Sequence, residues 1–180
     1  MGVSVVGLDL SLTQTGVAVV EEGRVHWTGV VKSAGKRDDS LSDRGTRISL
    51  IVSGVRSLVD RTGAQLAVIE APSFNSRFGS AHDRSGLWWR VVHMLDTRDI
   101  PVAQVTPMQR AKYGTGKGNA DKKTVHAAVQ KMYGRPDLPI KTNDEADAVL
   151  LAAMGARHLG KPCDVINDWQ AEAMVKVVWP

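Results

Sequence analysis

The order of apolar segments is the feature that most constrains how this 180-residue chain can fold. Residues 3–9, 14–20 and 24–31 are rich in small and β-branched apolar residues, and polar turn residues separate them. Three consecutive strands joined by short turns predict an antiparallel meander at the start of the chain. The polar, glycine-containing stretch 33–42 predicts a loop that ends the meander.

Helical and strand patterns alternate through the rest of the chain, and apolar residues three and four apart mark the helices. The predicted elements are helices over 43–62, 81–98, 122–133 and 144–159, and strands over 66–70 and 100–105. A helix that joins one strand to another favours parallel pairing. We therefore predict an α/β fold with a mixed five-stranded sheet, an antiparallel meander plus parallel strands, and helices on both faces. The spacing in 167–179 leaves its state open.

Length and composition predict one domain, with residues 1–160 as its body and 161–180 as an extension packed on it. No apolar run approaches the ~18 residues that indicate a membrane helix. No basic leader precedes an apolar signal core, so we expect a cytoplasmic protein. The single cysteine, Cys163, excludes an intrachain disulfide and a cysteine-cluster zinc site, and it fits a reducing compartment.

Four carboxylates lie where the predicted elements would bring them together. Asp9 ends the first strand and Glu70 ends the fourth, so they share one edge of the sheet if those strands are parallel neighbours. Asp144 and Asp147, three residues apart, share one helix face, although capping acidity would also explain that pair. Carboxylates at the ends of buried strands are costly unless cations neutralise them. Two divalent cations would do so and could support phosphodiester hydrolysis.

Basic residues are concentrated in one segment. Residues 109–135 contain seven lysines and arginines against one aspartate, whereas the whole chain has a net charge of +4. This concentration predicts a surface that contacts a phosphate backbone, and an ordinary solvated surface is the alternative interpretation.

Together these segments resemble the RuvC-type crossover junction endodeoxyribonucleases, over residues 3–158. The matching motifs are Gly7-Leu8-Asp9-Leu10-Ser11 with Thr15-Gly16-Val17-Ala18, Ile69-Glu70 before Phe74, Gly114-Thr115-Gly116 before Ala120-Asp121-Lys122 and Val125, and Asp144-Glu145-Ala146-Asp147-Ala148. The resemblance implies an RNase H-like fold and a homodimer that nicks two strands of a Holliday junction, a four-way branched DNA, symmetrically. It also implies two Mg²⁺ or Mn²⁺ ions per active site.

The resemblance assigns the metal ligands residue by residue. Asp9 would bridge both ions. Glu70 and Asp144 would each help to complete one coordination shell, and Asp147 would complete the remaining one. One ion would activate the attacking water while the other stabilises the leaving oxygen.

The resemblance also implies how the chain would contact DNA. Lys122 falls at the basic catalytic position beside the scissile phosphate. Lys112 matches a second basic position with a spacing one residue off, and a surface lysine is the alternative. Phe74, with Phe78 in reserve, would stack on junction bases, although packing into the core is the alternative. The predicted DNA contacts are Lys112, Lys117, Lys122, Lys123, Phe74 and Arg77.

The helix predicted over 81–98 would form the dimer contact, by the same resemblance. Trp88 and Trp89 are adjacent and cannot share one helix face, so one would be in the core and the other at the interface.

Other functions stay open on the sequence alone. A related nuclease acting on forks, flaps or RNA–DNA hybrids would have the same sheet and carboxylates. An actin-like ATPase or sugar kinase would share the first motif, but that fold needs two such domains. A junction-binding protein without activity is not favoured, because all four carboxylates are present.

Overall fold

The computed structural model of the chain describes residues 2–72 and 81–180. The strands are β1 (Ser4–Asp9), β2 (Gln14–Glu21), β3 (Arg24–Lys32), β4 (Leu66–Glu70) and β5 (Val102–Val105). The helices are α1 (Leu41–Val59), α2 (Ala81–Asp96), α3 (Pro107–Thr115), α4 (Lys122–Tyr133), α5 (Asn143–His158) and α6 (Asp168–Val175). None of these helices is long and apolar enough to span a membrane.

The five strands form one mixed sheet in the order β3-β2-β1-β4-β5. Strands β1, β2 and β3 pair antiparallel as a meander, and β4 and β5 run parallel to β1. The predicted mixed sheet is therefore confirmed. Because β1 and β4 are parallel neighbours with Leu8 opposite Ile69, both strands end at the same edge of the sheet.

Each face of the sheet has its own hydrophobic core, as the period-two alternation of a strand requires. Leu8 and Ile69 point to the face covered by α1 and α2. Val5 and Val68 point to the opposite face, where α5 lies at the centre and α3, α4 and α6 contribute. Helices on both faces were predicted, and this is confirmed.

Helix α5 is buried from Glu145 to Ala156, and residues 148–156 are apolar on every side of the helix. It packs unusually close to the sheet at Gly7. A Cβ atom there would lie 2.1 Å from the carbonyl oxygen of Ala148 and 2.5 Å from the amide nitrogen of Ala152. This close approach fixes the distance of α5 from β1.

The sequence interpretation did not include helix α3. Thr106 and Gln109 form a capping box at its start, and Pro107 occupies its first turn, which is a typical N-terminal pattern. Only Ala111, Tyr113 and Gly114 of this helix are buried, so its apolar periodicity is weak. The segment 167–179, whose secondary structure the sequence left open, contains helix α6.

A buried carboxylate fastens the chain that follows α5 to the rest of the domain. Asp164 accepts hydrogen bonds from Tyr113 of α3 (3.0 Å), from Gln170 of α6 (2.8 Å) and from Tyr133 of α4. Arg157 of α5 forms an ion pair with it. The cluster ties four helices to one side chain.

Candidate active site

Asp9 and Glu70 lie side by side at the edge where β1 and β4 end. Each is the last residue of its strand. Their preceding neighbours, Leu8 and Ile69, face the α1–α2 core, so the alternation turns both carboxylates toward α5. Trp88 of α2 donates its indole N–H to the carbonyl oxygen of Glu70 (3.1 Å), which holds the end of β4.

Gly16 brings Asp144 to this edge. It pairs with Asp9 across β1 and β2, and a Cβ atom at Gly16 would lie 2.0 Å from the carbonyl oxygen of Asp144. Only a residue without a side chain allows the first turn of α5 to approach β2 so closely. Gln14, two residues earlier on β2, donates its amide N–H to the Asp144 carboxylate (2.6 Å). The sequence analysis did not identify Gln14, because its partner is 130 residues away.

The acidic residues at the start of α5 have different roles. The Glu145 carboxylate accepts the backbone N–H groups of Lys141 (2.9 Å) and Thr142 (2.8 Å), so it completes a capping box. Asp147 takes no part in the cap and is only 4% exposed. Helix capping therefore explains why Glu145 is acidic. It does not explain Asp147, which remains a candidate residue of the active site.

Arg110 lies inside this group of carboxylates. Its guanidinium donates hydrogen bonds to Glu70 and to Asp147, and its side chain is only 11% exposed. Helix α3 begins directly after β5, so Arg110, one turn from Thr106, reaches the edge where Glu70 ends. Arg110 is one of the seven basic residues in 109–135, and the capping pattern at Thr106 was the sequence signal that could have distinguished it.

The carboxylates carry more negative charge than their surroundings balance. Burial, followed by the charges of Glu70 and Asp147, raises the pKa of Asp9 well above its ordinary value. Burial likewise raises the pKa of Asp147 to about 6, although Arg110 and Lys122 act in the opposite direction. For Arg110, burial opposes the charged form, but Glu70 and Asp147 outweigh it and raise the pKa.

This donor set suits a hard divalent cation, since Mg²⁺ and Mn²⁺ prefer carboxylate oxygens. A cation would relieve the excess charge that raises the pKa of Asp9. Among residues 2–72 and 81–180, however, no three His, Cys, Asp or Glu side chains already converge on one ion position. The donors fit in chemistry, but Glu70 and Asp147 face the Arg110 guanidinium.

The predicted DNA-contacting lysines differ in their surroundings. Lys122 is exposed at the start of α4, and its charge lowers the pKa of Asp147, so it lies within electrostatic reach of the carboxylates. Lys117 and Lys123 are exposed beside it. The ammonium group of Lys112 instead pairs with Glu172 of α6.

The structure describes the two tryptophans predicted at the dimer helix, but it does not describe the segment with the predicted base-stacking residues. Phe74, Phe78 and Arg77 lie outside the described residues. On α2, Trp88 packs against the core, whereas Trp89 is 65% exposed, with the two rings in an edge-on contact.

A family model described as crossover junction endodeoxyribonuclease RuvC matches residues 5–154, a span that includes all four carboxylates. The chain belongs to this family. Members are hydrolytic nucleases that act on DNA and depend on divalent metal ions. The predicted family and enzyme class are thus confirmed.

Relatives and solved structures agree with this assignment. The chain is 30% identical over 152 residues to RuvC of Leifsonia xyli, covering 84% of this chain and 73% of the relative. It is 27% identical over 164 residues to RuvC of Methylobacillus flagellatus, covering 87% and 90%.

Two solved structures are similar in fold. The structure of Thermus thermophilus RuvC matches with a TM-score of 0.69 and 22% identity, covering 88% of this chain and 97% of that one. The yeast mitochondrial Holliday junction resolvase Ydc2 matches with a TM-score of 0.58 and 14% identity, covering 94% and 79%. These matches confirm the predicted RNase H-like fold.

Proposed function

We propose that this chain is a metal-dependent endonuclease that resolves Holliday junctions by paired, symmetric nicks. The carrying observation is that Asp9, Glu70, Asp144 and Asp147 meet at one sheet edge, in a chain that matches the RuvC family over residues 5–154. Thermus thermophilus RuvC, which has the same fold, has been solved in complex with a Holliday junction substrate, and this supports branched DNA as the substrate.

We assign Asp9 as the ligand shared by two ions, Mg²⁺ or Mn²⁺, with Glu70, Asp144 and Asp147 as the remaining protein ligands. When bound, the ions would lower the pKa of an attacking water and stabilise charge on the leaving oxygen. The protein would contribute rigid placement. Strand ends hold Asp9 and Glu70, and Gln14 orients Asp144 through its hydrogen bond.

The lysines would hold the DNA backbone against this edge. Lys122, near Asp147, would contact the phosphate that is cleaved, and Lys117 and Lys123 would bind neighbouring phosphates. Lys112 is a further predicted contact, and it would have to leave Glu172 to reach DNA. Base stacking by Phe74 and a contact by Arg77 stay predictions.

Two symmetric nicks require two active sites, so we propose a homodimer formed through α2. The indole of Trp89 is 65% exposed beside a groove of about 440 Å³ between α1 and α2, and a large apolar side chain of this kind is typical of an interface. We further propose that residues 1–160 form the nuclease domain, that 161–180 are an extension packed on it through α6, and that the enzyme acts in the cytoplasm.

Cleavage of a labelled four-way DNA junction tests this function, with Mg²⁺ or EDTA and with a fork as a second substrate. The wild-type protein should give paired nicks and ligatable duplexes only with metal. Asp147→Asn should abolish cleavage and keep junction binding. Glu145→Gln is the matched control, because a glutamine oxygen can still cap α5 and cleavage should persist.

Two results would change the assignment. Loss of junction binding by a folded Asp147→Asn protein would contradict the metal-ligand role. Equal cleavage of forks and junctions would retain the active site but make the protein a broader nuclease of branched DNA.

A further inference from the structure

We propose that Arg110 is an internal counter-cation that holds Glu70 and Asp147 in the metal-free protein and must release them when divalent ions bind. This inference rests on the proposed metal site. Its starting point is the position of the guanidinium, which donates to a carboxylate at the end of β4 and to another on α5. These are two of the four proposed ligands.

Arg110 is placed there by the fold. The capping box of Thr106 and Gln109 fixes the first turn of α3 at the end of β5, and Glu70 pairs with Val105 in the sheet. The amide N–H of Arg110 donates to the carbonyl oxygen of Thr106 (3.0 Å), so its backbone position is part of the capped turn. Burying an arginine is unfavourable unless its charge is paired, and Glu70 and Asp147 supply that pairing.

Arg110 donates to one oxygen of Glu70 and to one oxygen of Asp147, the two carboxylates that the ions would also bind. With the guanidinium in place, no three acidic, histidine or cysteine side chains of the described chain converge on one position. A guanidinium has five N–H donors in a planar fork, and this fork suits two carboxylates as well as it suits a phosphate. An ion drawn to these carboxylates would place its charge close to the guanidinium, so ion binding opposes retention of both Arg110 contacts.

Charge balance favours the same conclusion. Four ionised carboxylates carry four negative charges, which two divalent ions neutralise fully. A guanidinium that stayed among them would then give the site a net positive charge. Once released, Arg110 would join Lys122 at the edge of the site, where a DNA phosphate can accept its bidentate hydrogen bonds.

The test is calorimetric titration of the DNA-free protein with Mn²⁺, together with its thermal unfolding midpoint. Arg110→Gln removes the charge and leaves a shorter polar side chain that cannot reach both carboxylates. Because hydrogen bonds to charged groups are comparatively strong, we expect this variant to bind Mn²⁺ about tenfold or more tightly than wild type. Its metal-free midpoint should be lower and its rise on adding Mn²⁺ larger. Arg98→Gln, which breaks the ion pair with Asp60 just after α1, should leave Mn²⁺ affinity unchanged.

Arg110→Lys supplies a second comparison, including the case in which Arg110→Gln does not fold without metal. A lysine keeps the charge but cannot bridge two carboxylates as a fork, so its Mn²⁺ affinity should exceed that of wild type by a smaller factor. Equal or weaker Mn²⁺ binding by the folded variants would overturn the inference. If the wild type itself neither binds Mn²⁺ nor cleaves junctions, the proposed function fails instead.

Discussion

Gly16 offers the sharpest test of how the fold positions the carboxylates. In Gly16→Ala, the new Cβ atom would lie 2.0 Å from the carbonyl oxygen and 2.5 Å from the carbonyl carbon of Asp144. Real Cβ atoms essentially never approach closer than 3.0 Å, so the start of α5 must retreat. The shift is at least about 1 Å, and a misplacement of that size in an active site can cost about 100-fold in rate. We also expect about 1–3 kcal/mol of lost stability from overpacking.

The assay is kcat/KM for cleavage of a four-way junction, measured with the unfolding midpoint and Mn²⁺ titration of the same preparation. Gly45→Ala is the matched control. Gly45 lies in α1, and apart from the backbone of its own helix no described atom would lie within 4 Å of the new methyl group. Alanine is also the better helix former. That variant should cleave normally and be equally or more stable.

A Gly16→Ala protein with wild-type stability, Mn²⁺ affinity and cleavage would refute the reasoning. It would mean that the helix start yields without moving the Asp144 carboxylate. A folded variant with weakened Mn²⁺ binding and slow cleavage is the expected result.

Two further predictions concern stability. Asp164→Ala should lower the free energy of unfolding in urea by about 3–5 kcal/mol, because it removes the carboxylate that balances the charge of the largely buried Arg157. Asp137→Ala, at an exposed ion pair, should cost less than about 1 kcal/mol. Equal losses in the two variants would contradict this account. For pH, the pKa of Asp147 is about 6 in the folded protein against an ordinary 3.8, so the folded state binds this proton more tightly than the unfolded chain does. The stability of the metal-free wild type relative to Asp147→Asn should therefore be greatest below about pH 4 and fall as the pH rises through 6. A difference that stays constant, or rises, over that range would argue against the raised pKa.

The local pattern of apolar and turn residues was sufficient to predict most strands of the sheet. The strands that end at Asp9 and Glu70 are short apolar runs with clear turns, and their parallel pairing followed from the intervening helix. Helix α4 has the predicted bounds, because Asp121 caps its start and its apolar residues are regularly spaced.

The features of the site that the sequence did not predict depend on tertiary contacts. Arg110 is one of many basic residues until α3 is placed at the end of β5, and α3 itself has few buried positions. Gln14 has no distinguishing neighbour in the sequence, since it acts on Asp144 across the fold. Lys112 was one residue off the spacing of the family's second basic position, and its side chain pairs with Glu172 of α6, a contact that spacing along the chain cannot reveal.

Helix α5 belongs to the hydrophobic core and carries two of the proposed ligands, and this has a consequence for the effect of substitutions. Functional residues commonly lie on loops, where sequences drift without loss of fold. Here Gly7 and Gly16 allow α5 to pack in direct contact with the sheet. The distance between helix and sheet can therefore change only if residues on both change together. Substitutions that move the helix should therefore lower stability and cleavage together, as expected for Gly16→Ala. Replacement of a carboxylate at the site should instead remove cleavage and leave the fold in place.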